Sequence, residues 1–391
     1  MKHKKKIISI FLIFIIGLIM ILNSDNVSAC QNCKIKSAKI VGELVSFPLF
    51  GDLWHSTLGN DGKLYLVFGD GTGEGTCIPH VEGETHTKDG NQCYDTEGIL
   101  LEKQFCRVYD CNACIKELCQ YTSAGVVVMT GNPPNLVQSG EVTKHVPYGD
   151  ARVFENHDKI SSLLFVNERL YAHMHYPPTK VTNGYLAYSD DNGRTWEIVP
   201  NSPWSVSSNF KTSMFVQLHD KDDYVYSMGV QNELNWEPLP TAQQVYLNRI
   251  KENLLPDYSS FEYFSGLNEN ENPTWSKNES DAVPLDGLQS IIIGSVMYHE
   301  GLDRYLFLTG WDSVHLMSFT VTGQDFLEAG LYEAENPWGE WNKVATFPIG
   351  EISSMIPKGV GQDHFYFTGA GFGDSGATYN LNIGKMQLQL E

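Results

Sequence analysis

The sequence predicts an all-β fold, a five-bladed β-propeller with a cysteine-rich loop insertion in the first blade, and three observations predict it. Aromatic and β-branched residues alternate with polar ones over five to eight positions, between turns rich in Gly, Asn and Asp. No long stretch repeats with the period of a helix. One phrase recurs five times: a turn with Asp, Asn or Gly, a charged residue, then a Tyr-containing apolar run that ends in small or polar residues.

The chain opens with Lys2, Lys4, Lys5 and Lys6, followed by the apolar run Ile7 to Leu22. That run is short for a membrane span, which needs about 20 residues, and reads as a signal peptide over residues 1–29. Val27-Ser28-Ala29 offers the small residues of a cleavage site, and Cys30 completes a lipobox, so release and a lipid anchor at Cys30 are the two outcomes. The polar stretch Asn23 to Asn26 favours release, because a lipobox ordinarily abuts the hydrophobic run. Either way the expectation is a secreted or cell-surface protein, with residues 30–391 forming a single propeller domain.

The formal net charge is −20, and removing the leader lysines makes it more negative. Such a surface repels nucleic acid and anionic lipid, which excludes nucleic-acid partners and leaves a membrane only through the Cys30 anchor. All eight cysteines precede residue 120: Cys30, Cys33, Cys77, Cys93, Cys106, Cys111, Cys114 and Cys119. In an exported chain they imply up to four disulfides, most of them within a loop-rich insertion at about 73–122. The spacing from Cys106 to Cys119 also admits zinc or an iron–sulfur cluster, a reading that export disfavours because it leaves few free thiolates.

The repeated phrase appears at Asp61 to Phe68, Asn167 to Met174, Asp222 to Met228, Leu302 to Leu308 and Gln362 to Thr368. Its tyrosines, Tyr65, Tyr171, Tyr226, Tyr305 and Tyr366, are 106, 55, 79 and 61 residues apart, and only the first gap, which holds the cysteine-rich insertion, far exceeds a blade. A strand precedes each phrase, such as Lys159 to Val166 or Ser290 to Tyr298, and another follows it, such as Gly184 to Ser189 or Gln244 to Arg249. This is the order of the inner, second, third and outer strands of a blade. After the fifth phrase only Tyr379 to Leu390 remains, so Lys36 to Phe47 is expected to close the ring against it and remove an exposed sheet edge.

Ser189-Asp-Asp191-Asn-Gly193-Arg-Thr195-Trp196 matches the Asp-box, Ser-x-Asp-x-Gly-x-Thr-Trp, a turn between the third and fourth strands of a blade. Its polar side chains hold the turn and Gly193 permits positive φ, so Asp191 is read as structural. Wider segments carry a family resemblance. Gly51-Asp52-Leu-Trp54-His-Ser-Thr with Gly69-Asp70-Gly71, Val245-Tyr-Leu-Asn-Arg249 with Phe261 to Gly266, Tyr298 to Tyr305, and Leu331 to Trp341 together resemble the domain-of-unknown-function family 4185 over about residues 45–390. That family is similar to five-bladed glycosidase propellers, some of them in glycoside hydrolase family 183, which cleaves D-arabinofuranose polymers. The resemblance implies a carbohydrate site, and the cysteine-rich insertion departs from the family pattern.

In a propeller, connections into inner strands and out of second strands converge on one face around the axis. The former supply Asp52, His157, Asp158 and Lys211, and the latter Asp70, His175, Asn232, Glu233, Trp311, Asp312 and Asp374. Cleaving a glycosidic bond takes one carboxylic acid to protonate the leaving oxygen and one carboxylate as base or nucleophile. The assignment is Asp52 as base or nucleophile, Glu233 as acid, and Asp158 or Asp70 as the neighbour whose charge raises the acid's pKa. His157, His175, Asn232, Trp311, Asp312 and Asp374 are the substrate-binding candidates. Each has a competing structural role: Asp52 and Asp70 adjoin glycines and could fix turns, the histidines could be hydrogen-bonded in place, and Trp54, Trp236 and Trp311 could be packed.

The leading function is thus a secreted glycoside hydrolase of an extracellular or cell-envelope polysaccharide, furanosidic such as D-arabinan, without a cofactor. A structural calcium ion, or a metal at the cysteines, stays open, although no EF-hand loop is written. One alternative is a noncatalytic propeller that binds glycans or proteins. A sialidase is disfavoured, because that chemistry uses an Arg triad and usually follows an Arg-Ile-Pro segment, which is missing here, and Arg169 and Arg304 sit in the blade phrase beside Arg152 and Arg249 elsewhere. No nucleophile elbow, phosphate loop, dinucleotide fingerprint or zinc-protease helix is present.

Overall fold

The computed structural model describes residues 34–71, 93–94, 100–101, 122–139, 159–176, 183–231, 243–290, 294–315, 326–348, 352–370 and 380–391. The leader with Cys30, and every other cysteine except Cys93, lie outside the described residues, as do the expected disulfides. Among the described residues no helix is long and apolar enough to cross a membrane.

The chain is all-β and folds as a β-propeller of antiparallel meanders. Strand β1 (Ile35–Phe50) comes first in sequence and joins the last sheet. The first meander is β2 (Ser56–Leu58) and β3 (Leu64–Gly71), continued after the short hairpin of β4 (Cys93–Tyr94) and β5 (Leu100–Leu101) by β6 (Thr122–Asn132) and β7 (Asn135–Gln138). The second is β8 (Lys159–Val166), β9 (Arg169–Tyr176), β10 (Asn183–Ser189) and β11 (Glu197–Ile198). The third is β12 (Thr212–Gln217), β13 (Tyr224–Val230), β14 (Gln243–Lys251), β15 (Glu262–Leu267) and β16 (Pro273–Ser276), with β17 (Gln289–Ser290) added at the start of β14. The fourth is β18 (Gly294–His299), β19 (Arg304–His315), β20 (Phe326–Ala334) and β21 (Asn342–Pro348). In the fifth, β22 (Ile352–Ile356), β23 (His364–Gly369) and β24 (Asn380–Leu390) are completed by β1, whose ends pair Ile35 with Leu390 and Phe50 with Asn380.

The five tyrosines of the repeated phrase all lie on the second strand of a meander. In two copies the Asp of the turn accepts from the Tyr hydroxyl four residues on, Tyr65 to Asp61 at 3.2 Å and Tyr226 to Asp222 at 2.9 Å, so the phrase joins a turn-forming carboxylate to its own strand. Gln289–Ser290 pairs with Gln243–Gln244 of the third meander, and Gly294–His299 is the first described strand of the fourth.

The first strands of the five meanders neighbour one another in a closed circle. Thr57 Oγ1 accepts from Phe165 N at 3.3 Å, and Ser162 Oγ accepts from Phe215 N at 3.0 Å. Next, β12 runs parallel to β18 through Val216 and Val296. Ser295 Oγ accepts from Met355 N at 3.0 Å, and Ser354 Oγ accepts from Ser56 N at 3.2 Å. Small hydroxyls near the axis let the inner strands approach while satisfying backbone donors that have no ladder partner there.

Apolar layers fill the wedges between neighbouring meanders, for instance Val67, Leu163 and Met174 between first and second, Trp204 and Phe215 between second and third, and Trp54, Leu66 and Ile383 between fifth and first. Where wedges narrow, glycine replaces side chains. A Cβ on Gly310 of the fourth meander would lie 2.1 Å from the Ile352 carbonyl oxygen of the fifth, and one on Gly184 of the second would lie 2.3 Å from that of Lys211. Gly310→Ala is therefore expected to force two backbones apart and cost about 3 kcal/mol, read as a lowered denaturant midpoint; an unchanged midpoint contradicts this close approach.

Candidate functional site

All five first strands run in the same direction around the axis, so their opening ends share one face with the closing ends of the second strands. Register places Asp52 beside Gly69, Lys159 beside His175, Thr212 beside Val230, Gly294 beside Thr309 and Ile352 beside Gly369.

The best described part of this face is built by the first two meanders. Asp52 and Gly69 exchange backbone hydrogen bonds of 2.9 and 2.8 Å. On either side the chain is bent by Gly51 at φ 150° and Leu53 at φ 53°, a left-handed conformation that a leucine adopts only at a cost. The bend is held by the buried Trp54, whose indole N–H donates to the Gly51 carbonyl at 2.9 Å, and by Thr368 of the fifth meander, whose hydroxyl donates to the Trp54 carbonyl at 2.6 Å. Trp54 thus packs in the core and is closed to a sugar ring.

A methyl group on Gly69 would lie 2.6 Å from Asp52 Oδ1 and 3.4 Å from Lys159 Nζ. The bare glycine backbone leaves the space in which carboxylate and ammonium sit. Lys159, the first residue of β8, is only 3% exposed. Opposite it, His175 is buried and its Nδ1 bonds the Ser161 hydroxyl at 2.8 Å. Burial, with the Lys159 charge and His55 adding to it, lowers the His175 pKa to about 3, and burial alone takes His55 to about 3. The described floor therefore combines the side chains of Asp52 and Lys159 with two imidazoles that are neutral at pH 7 and a hydroxyl.

Of the sequence candidates, Asp52 and His175 come together here. Asp70, Trp311 and Asp312 lie on described backbone of β3 and β19, and nothing is described of their side chains. His157, Asp158, Asn232, Glu233, Asp374 and Trp236 lie outside the described residues. Lys211 is buried at the opening of the third meander. Sequence reasoning left out Lys159, His55 and Ser161; the available signal was a lysine heading a strand that is otherwise apolar or hydroxylic.

Other prominent side chains are engaged elsewhere. Arg169 pairs with Asp190 at 2.6 Å, Arg304 with Glu335 at 3.2 Å, and Arg249 with Glu262 at 2.9 Å while stacked between Tyr224 and Trp275. Asp191 lies in the turn from β10 to β11, where its carboxylate accepts from the backbone and hydroxyl of Thr195 at 2.8 and 2.7 Å, from Arg194 N at 3.0 Å and from the Ser189 hydroxyl at 2.8 Å. Partial burial raises its pKa, but these bonds outweigh that and hold it below the usual carboxylate range. Asp191→Ala is expected to cost about 1–2 kcal/mol of stability, measured by chemical denaturation, with no effect on any activity of the axial face. A cavity of about 170 Å³ bordered by Thr57, Phe165, Gln217, His219 and Glu252 opens where the first strands end, on the opposite face from Asp52.

A family model described as "Domain of unknown function (DUF4185)" matches residues 163–356. No curated protein matches the sequence. Similar solved structures include a putative hydrolase from Bacteroides ovatus, at 11% identity, covering 88% of this chain and 87% of that one with a TM-score of 0.47. The GH43_1 enzyme from Xanthomonas citri complexed with xylotriose shares 12% identity over 88% of this chain and 90% of its own, with a TM-score of 0.45. A GH43 β-xylosidase/α-arabinofuranosidase from a compost microbial metagenome shares 11% identity over 92% of this chain and 98% of its own, with a TM-score of 0.44.

Proposed function

We propose that this protein is a glycoside hydrolase exported by its N-terminal leader, acting on an extracellular or cell-envelope polysaccharide, with furanosidic polymers such as D-arabinan as the first class to test. In this reading the five meanders are the five blades, and the substrate binds at the axial face where the first strands open. The observation that supports it is Asp52, held by a strained turn with Oδ1 buried beside a buried ammonium and two neutral imidazoles.

A carboxylate fixed beside a positive charge stays ionised and suits the base or nucleophile, whereas the proton donor needs the opposite environment. Glu233 takes that role, with Asp158 or Asp70 as the charged neighbour that raises its pKa, and the reaction inverts or retains according to the Asp52–Glu233 separation. His157, His175, Asn232, Trp311, Asp312 and Asp374 are the proposed sugar contacts. The test is incubation of the mature protein with arabinan, arabinogalactan and other cell-envelope glycans, comparing the wild type with Asp52→Asn and Glu233→Gln. Release of oligosaccharides by the wild type supports the reading. Binding without any release points instead to a noncatalytic glycan-binding propeller.

A further inference from the structure

We propose that the cavity on the face opposite Asp52 is a binding site for a small alkylammonium ion, with the Glu252 carboxylate and the Gln217 amide oxygen as its acceptors. The site is independent of the glycoside hydrolase reading, which concerns the other end of the axis.

The cavity forms where the first strands end, and four of the five meanders supply its apolar wall: Leu58 from the first, Val166 from the second, Val216 from the third and Pro357 from the fifth. Its volume is about 170 Å³, room for roughly five or six water molecules at about 30 Å³ each. Sites for drug-sized ligands measure about 300–1,000 Å³, so this one suits a molecule of a few heavy atoms and is too small for an oligosaccharide. Leu218 carries the wall out to the solvent. It is 39% exposed and sits in the left-handed region at φ 56°, a conformation that leucine adopts only at a cost and that here keeps an apolar side chain at the rim.

Two acceptors in this wall have nothing to accept from. Gln217 is only 4% exposed, and its amide nitrogen donates to the Leu163 carbonyl at 2.6 Å. That bond fixes which way round the amide lies, and it leaves the amide oxygen with no hydrogen bond among the described residues. Glu252 follows β14 directly and is half-buried, with its backbone N–H bonded to the Asp223 carbonyl at 3.0 Å. No described group bonds or pairs with its carboxylate, which borders the cavity. His219, by contrast, has both ring nitrogens engaged, one with the Tyr305 hydroxyl at 2.7 Å and the other with Asp222 at 3.0 Å, and serves as wall.

The charge balance selects the sign of the ligand. No described lysine or arginine borders the cavity. On the neighbouring strands and turns, Lys221 pairs with Asp303 and Arg249 with Glu262. The whole chain carries a net charge of −20, a field that draws cations in. A short alkylammonium ion meets each feature in turn: its tail lies against the apolar wall, its N–H groups donate to the two acceptors, and its charge faces Glu252. An alcohol of the same length brings no charge, and a carboxylate would face Glu252 with a like one.

The test uses the mature protein with labelled leucine and valine methyl groups, titrated with n-butylammonium chloride, 1-butanol and sodium butyrate at equal ionic strength. Butylammonium is expected to shift the methyl resonances of Leu58, Val166 and Leu218 with a Kd of about 1 mM. Butanol and butyrate should bind at least about tenfold more weakly. Glu252→Gln keeps the backbone bond to Asp223 and is expected to weaken butylammonium about tenfold while leaving 1-butanol unchanged. Equal affinity for butylammonium and 1-butanol overturns the proposal, as does a Glu252→Gln protein that binds butylammonium as tightly as the wild type. So does the absence of any shift at these methyl groups with about 20 mM butylammonium.

Discussion

Asp52→Asn is expected to reduce glycan cleavage by about 10²–10⁴-fold or more, the range removed when a positioned base or nucleophile is lost. Asparagine keeps the size and one oxygen of the side chain, so the Asp52–Gly69 backbone bridge and the strained turn at Leu53 should survive. What disappears is the negative charge, with two separable effects. The reaction loses its proton acceptor or nucleophile, and the groups bonded to Asp52 lose an ionised acceptor, which should cost about 1–3 kcal/mol of stability. Activity must therefore be referred to folded protein, by measuring release at a temperature well below the variant's own midpoint. Cleavage that continues at the wild-type rate in folded Asp52→Asn would leave Asp52 as a turn former only.

Acidification gives the second large effect. His55, His173 and His175 are buried and pushed down to about 3, and His299 to about 4, in each case chiefly by loss of water around the ring. An unfolded histidine takes up its proton near pH 6.5. Between that pH and the folded pKa, the unfolded chain binds protons that the native chain refuses, so stability present above pH 6.5 is lost as the pH falls. At pH 5 each such histidine costs about 2 kcal/mol, and a few of them are comparable with the whole stability of an ordinary domain. Glu279 and Glu333 work in the opposite sense, because burial raises their pKa values and their protonation favours the native state. Four histidines outnumber them, so the melting temperature should be level above pH 7 and drop steeply between pH 6.5 and 4.5. His299→Leu, which removes one titrating group from a fully buried position, should make that drop shallower. A melting temperature that holds constant to pH 4.5 would show that these rings accept protons without cost.

Much of the architecture was legible because propeller strands are short and their turns are chemically distinctive. The strand from Lys159 to Val166 was read to the residue, and the third strand of the same meander to within one residue at its start. The pairing of the first strand with the last followed from simple completeness, since the fifth meander would otherwise end on an unpaired edge.

The site was less legible than the fold. Asp52 was marked by its neighbouring glycines and by its place before an inner strand. Lys159 carried no comparable mark, since a charged residue at a strand end is ordinarily a solvated one. Its depth depends on packing against the neighbouring meander, where Gly69, 90 positions earlier in the chain, has no side chain to crowd the Lys159 ammonium. Local chemistry, meaning alternation, turn residues and the recurring tyrosine phrase, is written along the chain and determined the class of fold and the order of its strands. Which charges face each other, and which histidines are denied water, depends on distances between segments far apart in sequence. Those distances exist only once the wedges between meanders are filled, and so only the tertiary structure decided them.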